Sequence, residues 1–362
     1  MAAQRFLLRL LSFKRGFGAV FLFWLLLISG CQGDAPAPTL AVAFAWDYRA
    51  GDYVRSRPAL HGGIVYLGAD DNVLHALDAE TGTLLWQYDT ADNVTASPVM
   101  SGDKVYFGSW DGVIYALDAQ DGALHWRYET GGWVVGPLAI SEDMLYVGSH
   151  DGSLYALDAQ SGALVWRYET DGLVEGGAVL ADDKVFFGTT DNYCYALDRA
   201  TGTLRWRART NGDLLSTPAV ADGLVYVGSL DRTVYAFDTD TGATRWTFVA
   251  DDAVASSPAV HDGVVYVGTN GGRLHALDAQ EGALLWTYQA EDIVRSAPAV
   301  WDRWVFFGSD DGYLYGLALK TGAVVWQYRT GGAVSAGPVI VDARLLAGST
   351  DRRMYAFDLA LE

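Results

Sequence analysis

The chain has 362 residues and is strongly acidic, with 44 Asp and Glu residues against 25 Lys and Arg residues and a net charge of −19. This balance argues against binding of nucleic acids and against direct adhesion to anionic lipid, because both carry negative charge themselves. The length would suit two ordinary domains, but an internal repeat that runs through most of the chain favours one repetitive domain instead.

Residues 1–30 differ in kind from the rest of the chain. The positive charges near the start are Arg5, Arg9, Lys14 and Arg15. An apolar stretch at residues 16–27 follows, too short for a comfortable membrane span, and Cys31 stands right after it behind Ser29 and Gly30. This pattern resembles the lipobox of bacterial lipoproteins, in which the cysteine is acylated and becomes the new N-terminus. An ordinary cleaved signal peptide and an uncleaved anchor are the alternatives.

We assign residues 1–30 as a lipoprotein signal peptide and residues 31–40 as a tether that follows the lipidated Cys31. Without the leader, 21 Lys and Arg residues face 44 Asp and Glu residues, a net charge of −23. By the enterobacterial-type sorting pattern, Gln32 in place of Asp implies the periplasmic side of the outer membrane, or the outer face of the plasma membrane in a host without an outer membrane. An acylated Cys31 leaves Cys194 without a disulfide partner, so we expect Cys194 to be a small core residue.

The rest of the chain repeats with a period of 40 residues. Eight tryptophans keep this spacing without a break: Trp46, Trp86, Trp126, Trp166, Trp206, Trp246, Trp286 and Trp326. A fixed period of this length indicates one supersecondary unit that is copied and stacked. Each copy contains four strand-length runs and no sustained helical period. In the sixth copy the turns between these runs are Asp262-Gly263, Asn270-Gly271-Gly272 and Glu281-Gly282. This pattern predicts a four-stranded antiparallel blade.

The copies predict a closed ring of eight blades. Seven copies are whole, and an eighth begins near Pro338 and lacks its fourth strand and its tryptophan. The segment at residues 41–48 reads as a fourth strand with nothing before it, and its Trp46 is in phase with the repeat. We therefore predict an all-β, eight-bladed β-propeller of four-stranded blades over residues 41–362. The N-terminal strand completes the last blade, which removes an exposed sheet edge.

A motif before each tryptophan carries a family resemblance. Residues 76–86 follow the pattern A-x-D-x-x-T-G-x-x-x-W, which recurs intact at 196–206 and 236–246 and resembles the tryptophan-docking motif of quinoprotein (PQQ-type) propellers. In physical terms, the Asp can cap the turn, the Gly can take the left-handed conformation, and the Trp can pack between blades. We interpret the tryptophans as structural and expect no cofactor, because the motif is specific for the fold and not for a cofactor.

Three sets of equivalent positions scatter among chemically unlike residues and are candidates for function. The set after the second strand is Asp70, Trp110, His150, Thr190, Leu230, Asn270, Asp310 and Thr350. Two further sets lead into the innermost strand and are Tyr53, Asn93, Trp133, Leu173, Asp213, Ala253, Ile293 and Ala333, and Arg55, Thr95, Val135, Glu175, Leu215, Ala255, Arg295 and Ser335. In a propeller all three open around one mouth of the central channel. We call this surface the channel face.

The channel face supplies the predicted partner-binding residues. Trp110, Trp133 and His150 belong to blades two and three and should be neighbours, which is typical of a protein-contact hot spot. The alternative is drift at unconstrained positions, or Trp133 capping the channel. The full set of candidates is Trp110, Trp133, His150, Tyr53, Arg55, Glu175 and Arg295. For the charged members at the channel mouth, neutral surface decoration is the alternative.

No metal site and no catalytic residue are expected. His150 is a weak metal candidate because the other histidines are dispersed over different repeats. His75 and His275 occupy a position that is otherwise Tyr and are interpreted as structural. One carboxylate per turn is also too few for calcium. Trp301 and Trp304, near the first hairpin of blade seven on the opposite face, are a second candidate contact patch.

The leader and the repeats together resemble the BamB family, lipoprotein subunits of the machinery that assembles β-barrels into the outer membrane. The resemblance implies a monomeric, non-catalytic scaffold, attached to the membrane by its lipid only, which binds envelope proteins and chiefly the central barrel-forming subunit. A generic propeller for a small ligand, a carbohydrate or another envelope protein is the alternative. A quinoprotein dehydrogenase is disfavoured because the chain has no adjacent cysteines and no long insertions that could enclose a site.

Overall fold

The computed structural model describes residues 39–362, in which every regular element is a β-strand. The predicted signal peptide, the lipidated Cys31 and most of the predicted tether lie outside the described residues. Thirty-two strands form eight separate four-stranded sheets, which are the blades of a propeller. Within residues 39–362, no helix is long and apolar enough to cross a membrane.

The strands follow the repeat closely. The first strand, β1 (Leu40–Arg49), belongs to the last blade. Blades one to four contain β2 (Ala59–His61), β3 (Ile64–Gly68), β4 (Val73–Asp78), β5 (Leu84–Asp89); β6 (Val99–Ser101), β7 (Lys104–Gly108), β8 (Val113–Asp118), β9 (Leu124–Glu129); β10 (Ala139–Ser141), β11 (Met144–Ser149), β12 (Ser153–Asp158), β13 (Leu164–Glu169); and β14 (Val179–Ala181), β15 (Lys184–Gly188), β16 (Tyr193–Asp198), β17 (Leu204–Arg209). Blades five to seven contain β18 (Ala219–Ala221), β19 (Leu224–Gly228), β20 (Thr233–Asp238), β21 (Thr244–Val249); β22 (Ala259–His261), β23 (Val264–Gly268), β24 (Arg273–Asp278), β25 (Leu284–Gln289); and β26 (Ala299–Trp301), β27 (Trp304–Gly308), β28 (Tyr313–Ala318), β29 (Val324–Arg329).

Blade eight joins the two ends of the described chain. Its first three strands are β30 (Val339–Val341), β31 (Arg344–Gly348) and β32 (Arg353–Leu361). The fourth is β1, which pairs with β32 in antiparallel register from Arg49–Arg353 to Leu40–Leu361. Beyond this ladder, the backbones of Thr39 and Glu362 exchange two hydrogen bonds of 2.7 and 2.9 Å. The predicted closure of the ring by the N-terminal strand is confirmed.

The hydrophobic core lies between neighbouring blades. The second and third strands are almost entirely buried, whereas the fourth strand alternates exposed and half-buried residues. At each interface, the glycine that ends a second strand contacts the Val or Leu before the first strand of the next blade. A Cβ on Gly68 would lie 2.2 Å from the carbonyl oxygen of Val94, so only glycine fits there. This contact sets how closely adjacent blades approach.

The tryptophans stabilise the outer part of each interface. The indole N–H of Trp46 donates to the carbonyl of Ala79 in blade one at 2.9 Å. The Trp46 ring covers Gly82, where a Cβ would lie 2.6 Å from ring atoms and where φ is +69°. The same indole hydrogen bond recurs from Trp86 to Ala119, Trp126 to Ala159, Trp166 to Arg199, Trp206 to Thr239, Trp246 to Ala279 and Trp286 to Leu319. This geometry gives the series a structural role.

The motif aspartates satisfy backbone groups in turns. The Oδ1 atom of Asp78 accepts hydrogen bonds of 2.8 Å from both the amide and the hydroxyl of Thr81. In most blades a second aspartate joins two loops, as Asp231 does by accepting from the Asn211 amide at 3.0 Å and the Tyr235 hydroxyl at 2.7 Å. Much of the acidity of the chain is therefore turn chemistry.

Candidate functional site

The channel face is assembled by backbone hydrogen bonds between its loops. In each blade, the amide of the residue after the second strand donates to a carbonyl in the segment that leads into the first strand. Trp110 donates to Asn93 at 2.9 Å, and His150 donates to Trp133 at 2.8 Å. The scattered positions therefore adjoin one another, as the sequence analysis expected.

Trp110, Trp133 and His150 form a continuous ring stack, here called the aromatic stack. The rings of Trp110 and Trp133 lie 4.9 Å apart between centroids with an interplanar angle of 13°. The His150 ring lies 5.6 Å from the Trp133 ring and is tilted by 36° against it. The indole N–H of Trp110 donates to the Thr95 hydroxyl at 2.7 Å. Trp133 nevertheless keeps 48% of its surface exposed, which makes the stack a rigid apolar surface open to solvent. The prediction that these three residues are neighbours is confirmed.

A carboxylate lies at the end of the aromatic stack. The Nε2 atom of His150 lies 4.0 Å from Oε2 of Glu175, and this nitrogen has no hydrogen-bond partner although it is buried. Glu175 is 38% exposed. The stack therefore combines an apolar surface with a carboxylate at one edge. Tryptophans are enriched among the residues that dominate protein contacts.

The predicted arginines of the channel face are both paired with carboxylates. Arg55 forms an ion pair with Asp70, and Arg295 pairs with Asp310 at 2.6 Å. Burial raises the pKa of each of these two aspartates, and the adjacent guanidinium opposes that shift. In each aspartate, Oδ1 is buried without a hydrogen-bond partner. Both arginines remain 40% or more exposed, so each pair offers guanidinium N–H groups to solvent.

The seven predicted residues form two groups. Glu175 joins the aromatic stack of blades two and three, whereas Arg55 and the exposed Tyr53 lie in blade one and Arg295 lies in blade seven. Within residues 39–362, no hydrogen bond, ion pair or ring contact connects the stack to these other residues. The stack is therefore the compact candidate site, and the arginine pairs are separate features of the same face.

Two buried histidines belong to the blade framework. His75 lies between the Tyr48 hydroxyl, 3.1 Å from Nδ1, and Asp71, 3.1 Å from Nε2. His275 contacts Asp251 at 3.1 Å, and burial lowers the pKa of its imidazole. In the described part of the chain, no three His, Cys, Asp or Glu side chains converge as metal ligands do.

The patch expected at blade seven is smaller than the sequence suggested. Trp301 and Trp304 stack with centroids 5.6 Å apart, but Trp304 is only 3% exposed. Trp304 is therefore mainly a core residue. Cys194 is fully buried, as predicted, and burial raises the pKa of its thiol.

One residue with unusual surroundings was not singled out from the sequence. Arg57 lies two positions beyond Arg55, just before the innermost strand β2, and has no carboxylate partner among residues 39–362. Its equivalents in the other blades are Ser97, Pro137, Gly177, Thr217, Ser257, Ala297 and Gly337. A single charged residue in an otherwise small and uncharged set was the available indication in the sequence.

Comparison with known proteins places this fold in a family. The sequence profile described as outer membrane protein assembly factor BamB matches residues 43–112, 91–174, 169–298 and 289–360. Among curated protein sequences, none matches the chain significantly. The chain is similar to the crystal structure of BamB from Moraxella catarrhalis, with 25% identity, a TM-score of 0.75, and coverage of 88% of this chain and 98% of that chain.

Two further solved structures share the fold alone. The computationally designed protein Ika8 has 19% identity and a TM-score of 0.78, with coverage of 87% of this chain and 99% of that chain. The quinohemoprotein alcohol dehydrogenase from Comamonas testosteroni has 18% identity and a TM-score of 0.75, with coverage of 87% and 76%. Because the profile matches extend over nearly all of the described residues, the chain belongs to the BamB family of outer membrane protein assembly factors.

Proposed function

We propose that this chain is a non-catalytic scaffold of the bacterial cell envelope, held at the outer membrane by a lipid on Cys31, which binds a protein partner through the aromatic stack. The observation that carries the proposal is the exposed, preorganised stack of Trp110, Trp133 and His150. Membership of the BamB family supports an envelope role, and the partner of first choice is the central barrel-forming subunit of the β-barrel assembly machinery.

The geometry of the stack suits a contact hot spot. Trp133 is wedged between two other rings, so little side-chain entropy is lost when a partner covers it. Exposed tryptophans in such positions are enriched among residues that dominate binding free energy. The Glu175 carboxylate at the edge of the stack can accept hydrogen bonds or pair with a basic side chain of the partner.

A scaffold role is also supported by the uniform loops. The repeat keeps its 40-residue register from Trp46 to Trp326, so no blade carries an insertion. Enzymes usually need such segments to close over a substrate and exclude water. The channel face of this propeller is instead open, with rings and ion pairs in contact with solvent.

Binding to the purified periplasmic part of the central subunit from the same bacterium tests the proposal. We expect Trp133→Ala to weaken binding by ~2 kcal/mol or more, and Trp110→Ala to do the same, because both remove hot-spot rings. Leu84→Ala is the matched control, since Leu84 is similarly exposed at 43% but lies on an outermost strand. Normal binding by both tryptophan variants would place the contact surface elsewhere. Binding of glycans by the wild type, abolished in the same variants, would favour the carbohydrate alternative.

The lipid anchor is tested separately. Cys31→Ala should leave the leader unprocessed or release the protein from membranes, because the acyl chains are the proposed attachment. Mass spectrometry of the N-terminus and membrane fractionation measure this directly. An unchanged mass and unchanged fractionation would contradict the lipoprotein assignment without bearing on the aromatic stack.

A further inference from the structure

Each blade has one equivalent position two residues before its innermost strand, and we call these eight positions the inner ring. Its members are Arg57, Ser97, Pro137, Gly177, Thr217, Ser257, Ala297 and Gly337. Where the residue carries a hydroxyl, that oxygen accepts an amide of the preceding blade: Ser97 from Arg57 at 3.2 Å, Thr217 from Gly177 at 2.9 Å, and Ser257 from Thr217 at 3.0 Å. In the described structure none of these three hydroxyls donates a hydrogen bond, so their protons are available.

The side chain of Arg57 also points towards the preceding blade, which for blade one is blade eight, and it extends beyond the amide that the shorter side chains contact. A Cβ on Gly337 would lie 3.0 Å from its Nε atom, so the side chain of Arg57 passes close to that glycine. Its Nη2 atom makes one long hydrogen bond, 3.4 Å, to the carbonyl of Pro338. The Nε atom is buried and has no partner. A guanidinium carries five N–H donors, so most of the capacity of Arg57 is unused.

This arrangement is costly unless something completes it. Arg57 is half-buried, and burial lowers the pKa of its guanidinium, because a charge withdrawn from water without an ionic partner is unfavourable. The two candidate arginines of the channel face are paired, Arg55 with Asp70 and Arg295 with Asp310. Arg57, in contrast, has no anion partner within residues 39–362.

We propose that the channel binds a small oxyanion, a carboxylate or phosphate group, on the guanidinium of Arg57, with the neighbouring hydroxyl of Ser97 as an additional donor. The planar guanidinium matches two oxygens of either group in bidentate geometry. The molecule as a whole is negatively charged and repels anions at long range. Binding of an anion therefore depends on direct contact with Arg57 and not on diffuse electrostatic attraction. This inference is independent of the aromatic stack.

Isothermal titration of the full-length protein tests the site. Inorganic phosphate and acetate are the two probes, each at constant ionic strength with chloride as the balancing anion. We expect saturable binding of one probe, and the identity of that probe tells a phosphate ligand from a carboxylate ligand. Arg57→Ser, which copies Ser97 and Ser257, should weaken this binding by about 10- to 100-fold, as expected for charge-assisted hydrogen bonds.

A control variant and a measurement of thermal stability separate anion binding by Arg57 from a purely structural role. Arg245→Ser removes an arginine that is 59% exposed and paired with Asp238 outside the channel, and it should bind the probe as the wild type does. In the absence of the probes, Arg57→Ser should melt at the same temperature as the wild type or higher, because it removes a half-buried charge that has no ionic partner. Failure of both probes to saturate, equal affinity of Arg57→Ser, or a lower melting temperature of that variant would each overturn the proposal. The last result would assign Arg57 to a structural contact with Pro338.

Discussion

The outer rim and the channel face of the same blades are built under different constraints. At the rim, seven tryptophans donate the same indole hydrogen bond to a backbone carbonyl of the next blade. Their rings also cover glycines at equivalent turn positions. At the channel face, equivalent positions hold residues as different as Trp133, Asp213 and Ala253, with the same backbone hydrogen bond in each blade. The difference teaches that copies of a repeat stay alike where a blade must contact its neighbour, and vary where it contacts solvent or a ligand.

The largest loss of stability is expected when the ring is opened at blade eight. Deletion of residues 40–50 removes β1, its ladder with β32 and the Trp46 contact on Gly82. We expect aggregation or a loss well above ~5 kcal/mol, comparable with the whole stability of an ordinary domain. Thermal unfolding and light scattering measure this. Addition of a synthetic peptide of residues 39–50 should restore part of the loss, and a truncated protein that melts like the intact one would contradict ring closure by β1.

A single tryptophan on each surface provides the next comparison. Trp206→Ala should destabilise the fold by ~3–5 kcal/mol, because it leaves a cavity between blades and an unpaired Thr239 carbonyl. Trp133→Ala should cost about 1 kcal/mol or less, since half of that ring is already exposed. Urea denaturation of the two variants decides between them. Equal losses would mean that Trp133 is a core residue and that the channel face is not free of structural duty.

Glycine substitutions test the contact distance between blades. Gly68→Ala should cost ~1–3 kcal/mol, because its Cβ would lie 2.2 Å from the Val94 carbonyl oxygen. Gly316→Ala is the matched control, because the other seven blades have Ala at this position. Blade four already pairs Ala196 with Phe186, which is the pair that Gly316→Ala would create with Phe306. We expect it to be neutral or stabilising by up to ~1 kcal/mol. Equal destabilisation by both would argue against a specific role for the Gly68 contact.

The smallest expected effect is a difference in pKa between a carboxyl group at the rim and one on the channel face. At the rim, a hydrogen bond from Arg205, followed by one from Thr201, lowers the pKa of Asp198 to about 2. On the channel face, burial raises the pKa of Asp70. Carboxyl resonances followed by NMR should therefore shift at lower pH for Asp198 than for Asp70.

The stability consequences have opposite signs. The stabilisation from Asp198 is complete above its ordinary pKa and is lost as the pH falls from about 4 towards 2, and because this group is exposed it amounts to a few tenths of a kcal/mol. Asp70 binds its proton more readily in the folded protein, so its contribution favours folding as the pH falls through its raised pKa. Arg205→Gln should reduce the acid sensitivity of the rim and leave Asp70 unchanged. Identical titration of both carboxyl groups would contradict the comparison.

The fold was predictable from the sequence because residues that every blade needs recur at a fixed spacing of 40 positions. The phase of Trp46 assigned β1 to the last blade, and the Asp78 cap followed from turn chemistry. The contact between Gly68 and Val94 was not predicted, because glycine at a strand end has many explanations and only the blade spacing selects one. In blade six, Gly271 replaces the usual aspartate, and Asp251 from the facing loop bonds His275 instead. Such compensation across two loops is invisible without coordinates.

The candidate site was predictable in part. Adjacent blades and unusual residue types were enough to place Trp110, Trp133 and His150 together. The ion pairs of Arg55 and Arg295 depend on side-chain reach, which equivalent positions do not reveal. Arg57 is the charged member of an otherwise uncharged set, but only the structure shows that its Nε atom is buried without a hydrogen-bond partner.

The seam of blade eight imposes an order on biosynthesis. Its sheet combines residues separated by more than three hundred positions, so β1 emerges first and waits without a partner until β32 has been made. Bringing together ends so far apart carries a chain-entropy cost that grows only slowly with length, and the intervening blades shorten the effective gap as they stack. Until then, the nascent chain is an open spiral with a bare strand at one end. That strand therefore needs protection from other partners until β32 is complete, and only then does the ring become a single cooperative unit.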